Sequence, residues 1–68
     1  MIAKKLGLEI RKRRLELGMT QQQLGDKVGV ARCHVSWWET GRIAMTEANV
    51  YKVMEALEVQ DVDVFLRP

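Results

Sequence analysis

Thr20-Gln21-Gln22-Gln23-Leu24-Gly25-Asp26-Lys27-Val28-Gly29-Val30 and its continuation, Ala31-Arg32-Cys33-His34-Val35-Ser36-Trp37-Trp38-Glu39-Thr40-Gly41, decide the fold. Thr20 and Gln23 read as a capping box, in which hydroxyl and amide satisfy early backbone N–H groups at a helix start. A short helix over Gln21 to Val28 then buries Leu24 and Val28, and Gly29 supplies its left-handed exit. A second helix over about Arg32 to Glu39 has Val35 and Trp38 as its inward positions. Ala31 stands at the cap of that helix with no side-chain acceptor, which predicts a weak start. Gly25 is read as the place where the first helix passes close to the second. Val30 and Val35 seal the angle between the two, and Trp38 fills the remaining corner. Ala31, Arg32, Cys33, Ser36 and Trp37 are left pointing outward.

The flanking segments keep the same period. Leu6, Ile10, Arg14 and Leu17 share one helical face, which predicts a helix from about Ile2 to Leu17 ending at Gly18. Thr46 caps a helix over Glu47 to Leu57, with Val50, Val53, Met54 and Leu57 as its apolar stripe. Gln60 or Asp61 starts a last short turn carrying Val62, Phe65 and Leu66. There is no hairpin signal, repeat or low-complexity stretch. The expected architecture is all-α, a compact bundle of five short helices.

With 68 residues the chain has room for one domain, taken as 1–68. Its 47% hydrophobic content and net charge of +2 exclude disorder. The single Cys33 builds no internal disulfide framework, and with His34 it supplies too few ligands for structural zinc. Charged residues break every apolar run well short of the roughly 18 that span a bilayer. Met1-Ile2-Ala3-Lys4-Lys5 lacks the apolar core of a secretory signal, so a cytoplasmic location is expected. The small net charge conceals a division at Ile43. Before it lie Lys4, Lys5, Arg11, Lys12, Arg13, Arg14, Lys27, Arg32 and Arg42 against Glu9, Glu16, Asp26 and Glu39, a net of +5. After it lie Lys52 and Arg67 against Glu47, Glu55, Glu58, Asp61 and Asp63, a net of −3. A basic front and an acidic back point to a negative partner met by one end, with helix 1, the two-helix unit and the following loop forming the end that faces phosphate.

Two short helices joined by a glycine-containing turn, about residues 21–40, make a helix-turn-helix. In such a unit the second helix enters the major groove of DNA with its N-terminal residues against base edges. The pattern Ile10-Arg11-x-x-Arg14-x-x-x-Gly18-x-Thr20-Gln21, then Gly25, Gly29-Val30, Val35 and Trp38-Glu39-x-Gly41, resembles the Cro/phage-repressor-type helix-turn-helix family, also called the xenobiotic-response-element family. The resemblance runs from about Leu6 to Leu66, and Leu24 to Val30 is similar to the repressors of lambdoid phages. It implies a five-helix domain that binds short palindromic operators as a dimer and represses transcription. It assigns base reading to Arg32, Cys33 and Trp37, with Ser36 on the same face. It assigns phosphate contacts to Thr20 and Gln21, and to Thr40 and Arg42 beyond the recognition helix. It makes Arg14 and Glu39 an ion pair tying helix 1 to helix 3, with Arg14 also placed near phosphate. Four positions depart from the family pattern: Met45 replaces a proline, Ala31 a Ser/Thr cap, Trp37 a polar residue and Asp61 an apolar one.

Each candidate has a plainer reading beside it. Arg32 can fork onto guanine O6 and N7, worth about 1–3 kcal/mol of discrimination, or stand solvated against phosphate. Cys33 fits a van der Waals contact with a thymine methyl; a redox role is the lesser reading. Trp37 packs on thymine methyls or sugar, unless it is the core residue and Trp38 the exposed one. Helical spacing favours Trp38 inside, since Val35 and Trp38 share a face. Arg14 with Glu39 is chiefly structural. Arg11, Lys12 and Arg13 read as a solvated charge run, and His34 as a surface histidine near the groove. Val62, Phe65 and Leu66 either cover the core or form a dimer seam.

The expectation is therefore a sequence-specific regulator, a repressor that binds double-stranded DNA as a homodimer. No cofactor, metal, small-molecule ligand or membrane enters that reading. The rival is an antitoxin-type protein-interaction module that neutralises a partner and autoregulates its operon. An enzyme is not expected: there is no phosphate-binding glycine loop, and neighbouring Cys33 and His34 on a helix diverge.

Overall fold

The computed structural model describes residues 2–59, with side chains from Lys5 onward. Four helices follow one another, α1 (Ile2–Glu16), α2 (Gln21–Val28), α3 (Arg32–Thr40) and α4 (Glu47–Ala56), and no strand occurs among the described residues. The bounds of α2 are those expected; the other three differ by one residue at their C-terminal ends. The fifth helical turn, the dimer contacts Val62, Phe65 and Leu66, and the departure at Asp61 lie outside the described residues.

Capping chemistry sets the start of each short helix. Thr20 Oγ1 accepts the Gln23 amide at 3.0 Å while Gln23 Oε1 accepts the Thr20 amide at 2.8 Å, closing the box at α2. Thr46 Oγ1 accepts the Asn49 amide at 3.2 Å and starts α4. Ala31 makes no side-chain cap at α3, as its composition requires. Gly29, at φ 83°, ends α2 in the left-handed conformation that only glycine adopts without steric cost, and the chain turns there into α3. The end of α4 uses Glu58 at φ 60°, where an L-residue is strained by about 1–2 kcal/mol.

The helix α3 is the hub, with α1 and α2 packed on it and α4 packed on α2. Leu6, Ile10, Leu24, Val28, Val35, Trp38, Val53, Met54 and Leu57 form one buried cluster. Ile43 and Met45, in the loop after α3, are partly buried and pack against this cluster. Gly7 lets α1 cross the end of α3 closely: a Cβ there would lie 2.0 Å from the Trp38 carbonyl oxygen and 2.9 Å from that of Glu39. The expectation for Gly25 needs correction in the same terms. A Cβ on Gly25 would lie 2.7 Å from the Val30 carbonyl oxygen, so its small size serves the turn rather than a helix crossing.

Arg13, read as part of a solvated charge run, keeps a 36% exposed side chain but is also tied into the fold. Its Nε donates to the Leu57 carbonyl at 3.0 Å, where the end of α4 leaves carbonyls free and the helix dipole favours a cation.

Candidate nucleic-acid interface

The side chains of α3 divide as its period dictates. Val35, Trp38 and Glu39 are buried, Ala31, Arg32, Cys33 and Trp37 are exposed, and Ser36 and His34 are half-buried. Of the two tryptophans, Trp38 is 2% exposed and Trp37 36%, which settles the choice between them. Arg32 lines an open groove with Thr20, Gln21 and Gln22, so the start of α3 and the start of α2 share one concave surface.

Both helix starts carry donors that no carbonyl of their own helix can reach. Gln23 is the first amide of α2 taken by the Thr20 side chain, and Leu24 the first to bond a preceding carbonyl. At α3 the first such bond comes from His34, to the Ala31 carbonyl at 3.0 Å. The amides of Gln21, Gln22, Arg32 and Cys33 therefore make no hydrogen bond among the described residues, and the positive ends of two helix dipoles face one surface. The Thr20 hydroxyl accepts within the capping box and keeps its own hydrogen to donate outward.

Three of the expected phosphate contacts change on inspection of their partners. Arg14 is 6% exposed, and its Nε and Nη2 donate to Glu39 Oε2 and Oε1 at 2.7 and 3.1 Å. Its Nη1 donates to the Met19 carbonyl at 2.7 Å, so three of the five guanidinium N–H groups are spent inside the fold. The Gln21 side-chain amide donates to Glu39 Oε1 at 3.2 Å, so one of its two N–H groups is spent within the fold. The Thr40 hydroxyl donates back to the Ser36 and Trp37 carbonyls at 3.0 and 3.3 Å, which uses the one proton a phosphate contact would need. Arg42 stays exposed beside Trp37 and Ile43, around a small surface notch.

The basic front is correspondingly smaller than its count. Arg13 and Arg14 are committed to Leu57 and Glu39, while Arg11 and Lys12 lie exposed on the face of α1 turned away from buried Leu6, Ile10 and Arg14. Of these four, Arg13 and Arg14 are the two whose guanidinium groups are engaged within the fold.

Two residues of this region were not legible as partners. Met19 contributes its carbonyl to Arg14, a backbone role with no sequence signal. His34 stands between the two indoles, with ring centroids 5.5 Å from Trp37 and 5.6 Å from Trp38; its i, i+3 and i, i+4 spacing to them was the available clue.

A family model described as helix-turn-helix matches residues 10–64. No curated protein matches the chain. Among solved structures, the chain is similar to the restriction-modification controller protein C.Esp1396I, at 36% identity over 97% of this chain and 84% of that one, with a TM-score of 0.86. The same controller, as a tetramer in complex with its natural 35 base-pair operator, superposes with a TM-score of 0.85. The controller C.AhdI from Aeromonas hydrophila is 28% identical over 85% of this chain and 88% of that one, with a TM-score of 0.82. The clp gene regulator ClgR from Corynebacterium glutamicum is 26% identical over 97% of this chain and 70% of that one, with a TM-score of 0.91. The motif read from Ile10 to Gly41, the matched span and these likenesses agree: the chain belongs to the Cro/phage-repressor-type helix-turn-helix family.

Proposed function

We propose that the chain is a sequence-specific regulator of transcription that binds double-stranded DNA, a repressor that recognises a palindromic operator as a dimer. One observation carries this reading: the outward N-terminal face of α3, with Arg32, Cys33 and Trp37 exposed, on a helix whose inward Glu39 is locked to Arg14. That arrangement suits insertion into the major groove, where Arg32 can fork onto a guanine and Cys33 and Trp37 meet apolar edges. The amides at the starts of α2 and α3, the Thr20 hydroxyl and Arg42 hold phosphate and fix the register. The operator complex of the 36% identical controller supports duplex DNA as the ligand. In a two-fold dimer the α3 helices meet half-sites about 34–36 Å apart. The reading assigns no catalytic step and needs no cofactor.

Titrating selected against random duplexes at two salt concentrations tests it. A selected site is expected to bind at least about 10³-fold more tightly than random duplex. Equal affinity for both, or no binding even at low salt, overturns the proposal.

A further inference from the structure

His34 has no place in the reading above, yet it sits at the join between the recognition surface and the core. Its ring meets Trp38 edge-on, at 76° and 5.6 Å between centroids, and Trp38 is 2% exposed and fixed by the packed interior. On its other side the ring meets Trp37, tilted at 52° and 5.5 Å. Both separations lie in the range where aromatic rings attract through their quadrupoles. The immobile indole thus holds the imidazole, and the imidazole holds the exposed indole. Beyond Trp37, Arg42 and Ile43 line the notch that borders it, and the Arg42 amide donates to the Trp37 carbonyl at 2.9 Å.

A tryptophan on the outside of a helix has two open χ1 wells, because the third drives the side chain into the preceding turn. Left free, the ring would have to be ordered each time the protein binds. Trp37 instead packs against the His34 ring while remaining 36% exposed. We infer that His34 is a positioning residue for Trp37, presenting the indole as a preformed apolar surface that meets the C5-methyl of a thymine in the major groove. This rests on the DNA-binding reading, and it assigns His34 a role in specificity although it touches no base.

The chain has only two tryptophans, so its two indole N–H resonances are assigned by comparison with Trp37→Ala. In the DNA-free protein, His34→Ala is expected to move the Trp37 resonance towards its random-coil position and leave that of Trp38 in place. His34→Phe, which keeps a ring and removes the nitrogens, is expected to retain the wild-type dispersion. On a selected duplex His34→Ala should bind about 2- to 12-fold more weakly, the loss from leaving one rotamer-rich side chain to be ordered on binding, and His34→Phe should recover most of it. Replacing the contacted thymine by uracil should weaken the wild type and leave Trp37→Ala unaffected. An unmoved Trp37 resonance in His34→Ala, or His34→Phe as weak as His34→Ala, overturns the positioning role. Equal binding of thymine and uracil duplexes removes the methyl as the target. A wild-type chain with no duplex selectivity brings down the functional reading instead, and the DNA-free resonances still decide whether His34 orients Trp37.

Discussion

Trp37 and Trp38 are neighbours in sequence and opposites in role, which makes them the sharpest comparison at the scale of single residues. Trp38→Ala empties a buried site and should cost about 3–5 kcal/mol. A domain of this size has only about 3–10 kcal/mol in total, so that variant is expected to be largely unfolded by circular dichroism. Trp37→Ala removes a side chain that is 36% exposed and outside the buried cluster, and should keep its melting temperature within a few degrees while losing affinity for a selected duplex. A large stability loss in Trp37→Ala would contradict its facing. The assignment of the two was legible from spacing alone, because Val35 and Trp38 must share a side. The inward turn of the Gln21 amide was not, since a polar residue at a helix start points outward unless a particular acceptor, here Glu39, is brought beneath it by α3.

At the scale of elements, two devices fix α1 on α3. The first is Gly7. Alanine is intrinsically the better helix former by about 1 kcal/mol, but here its methyl would sit 2.0 Å from a backbone carbonyl that cannot swing aside. Overpacking should win, so Gly7→Ala is expected to destabilise by about 1–3 kcal/mol in chemical denaturation, and a gain in stability would refute the close crossing. The second is the Arg14–Glu39 pair, with side chains 7% and 2% exposed. Removing one partner strands a buried charge, so Glu39→Ala or Arg14→Ala alone should cost about 3–5 kcal/mol. Arg14→Met with Glu39→Leu together should recover much of it, and a double variant as unstable as the worse single one would show that the pair's hydrogen bonds to Met19 and Gln21 matter more than its charges. Helix bounds were readable because Thr20, Gln23, Gly29 and Thr46 act locally, within one turn. Arg13 reaching Leu57 across 44 residues was not readable, because it depends on how α4 is set against α1. Gly7 left a signal that went unused: a glycine inside a helix is unfavourable unless something approaches it.

At the scale of the molecule, two of the basic residues before Ile43, Arg13 and Arg14, are engaged within the fold. Arg32 and Arg42 remain as the exposed cations of α3 and its loop, and Arg11 and Lys12 belong to the outer face of α1. Arg42 at phosphate in each chain of a dimer gives a slope of about −2 for log K against log salt, and phosphate contacts by Arg11 and Lys12 would roughly triple it. Arg11→Gln with Lys12→Gln is therefore expected to leave the slope unchanged, and a shallower slope would return α1 to the interface. The central claim is that the N-terminal face of α3 reads bases, with Arg32 on a guanine. Its most direct measurement is the affinity of wild type and Arg32→Ala for a selected duplex in which each guanine in turn is replaced by 7-deazaguanine, which lacks the N7 acceptor. One guanine per half-site should then cost the wild type up to about 150-fold, the equivalent of 1–3 kcal/mol for a bidentate contact, and cost Arg32→Ala nothing further. Equal losses in both proteins at every guanine, or no loss at any, would contradict it.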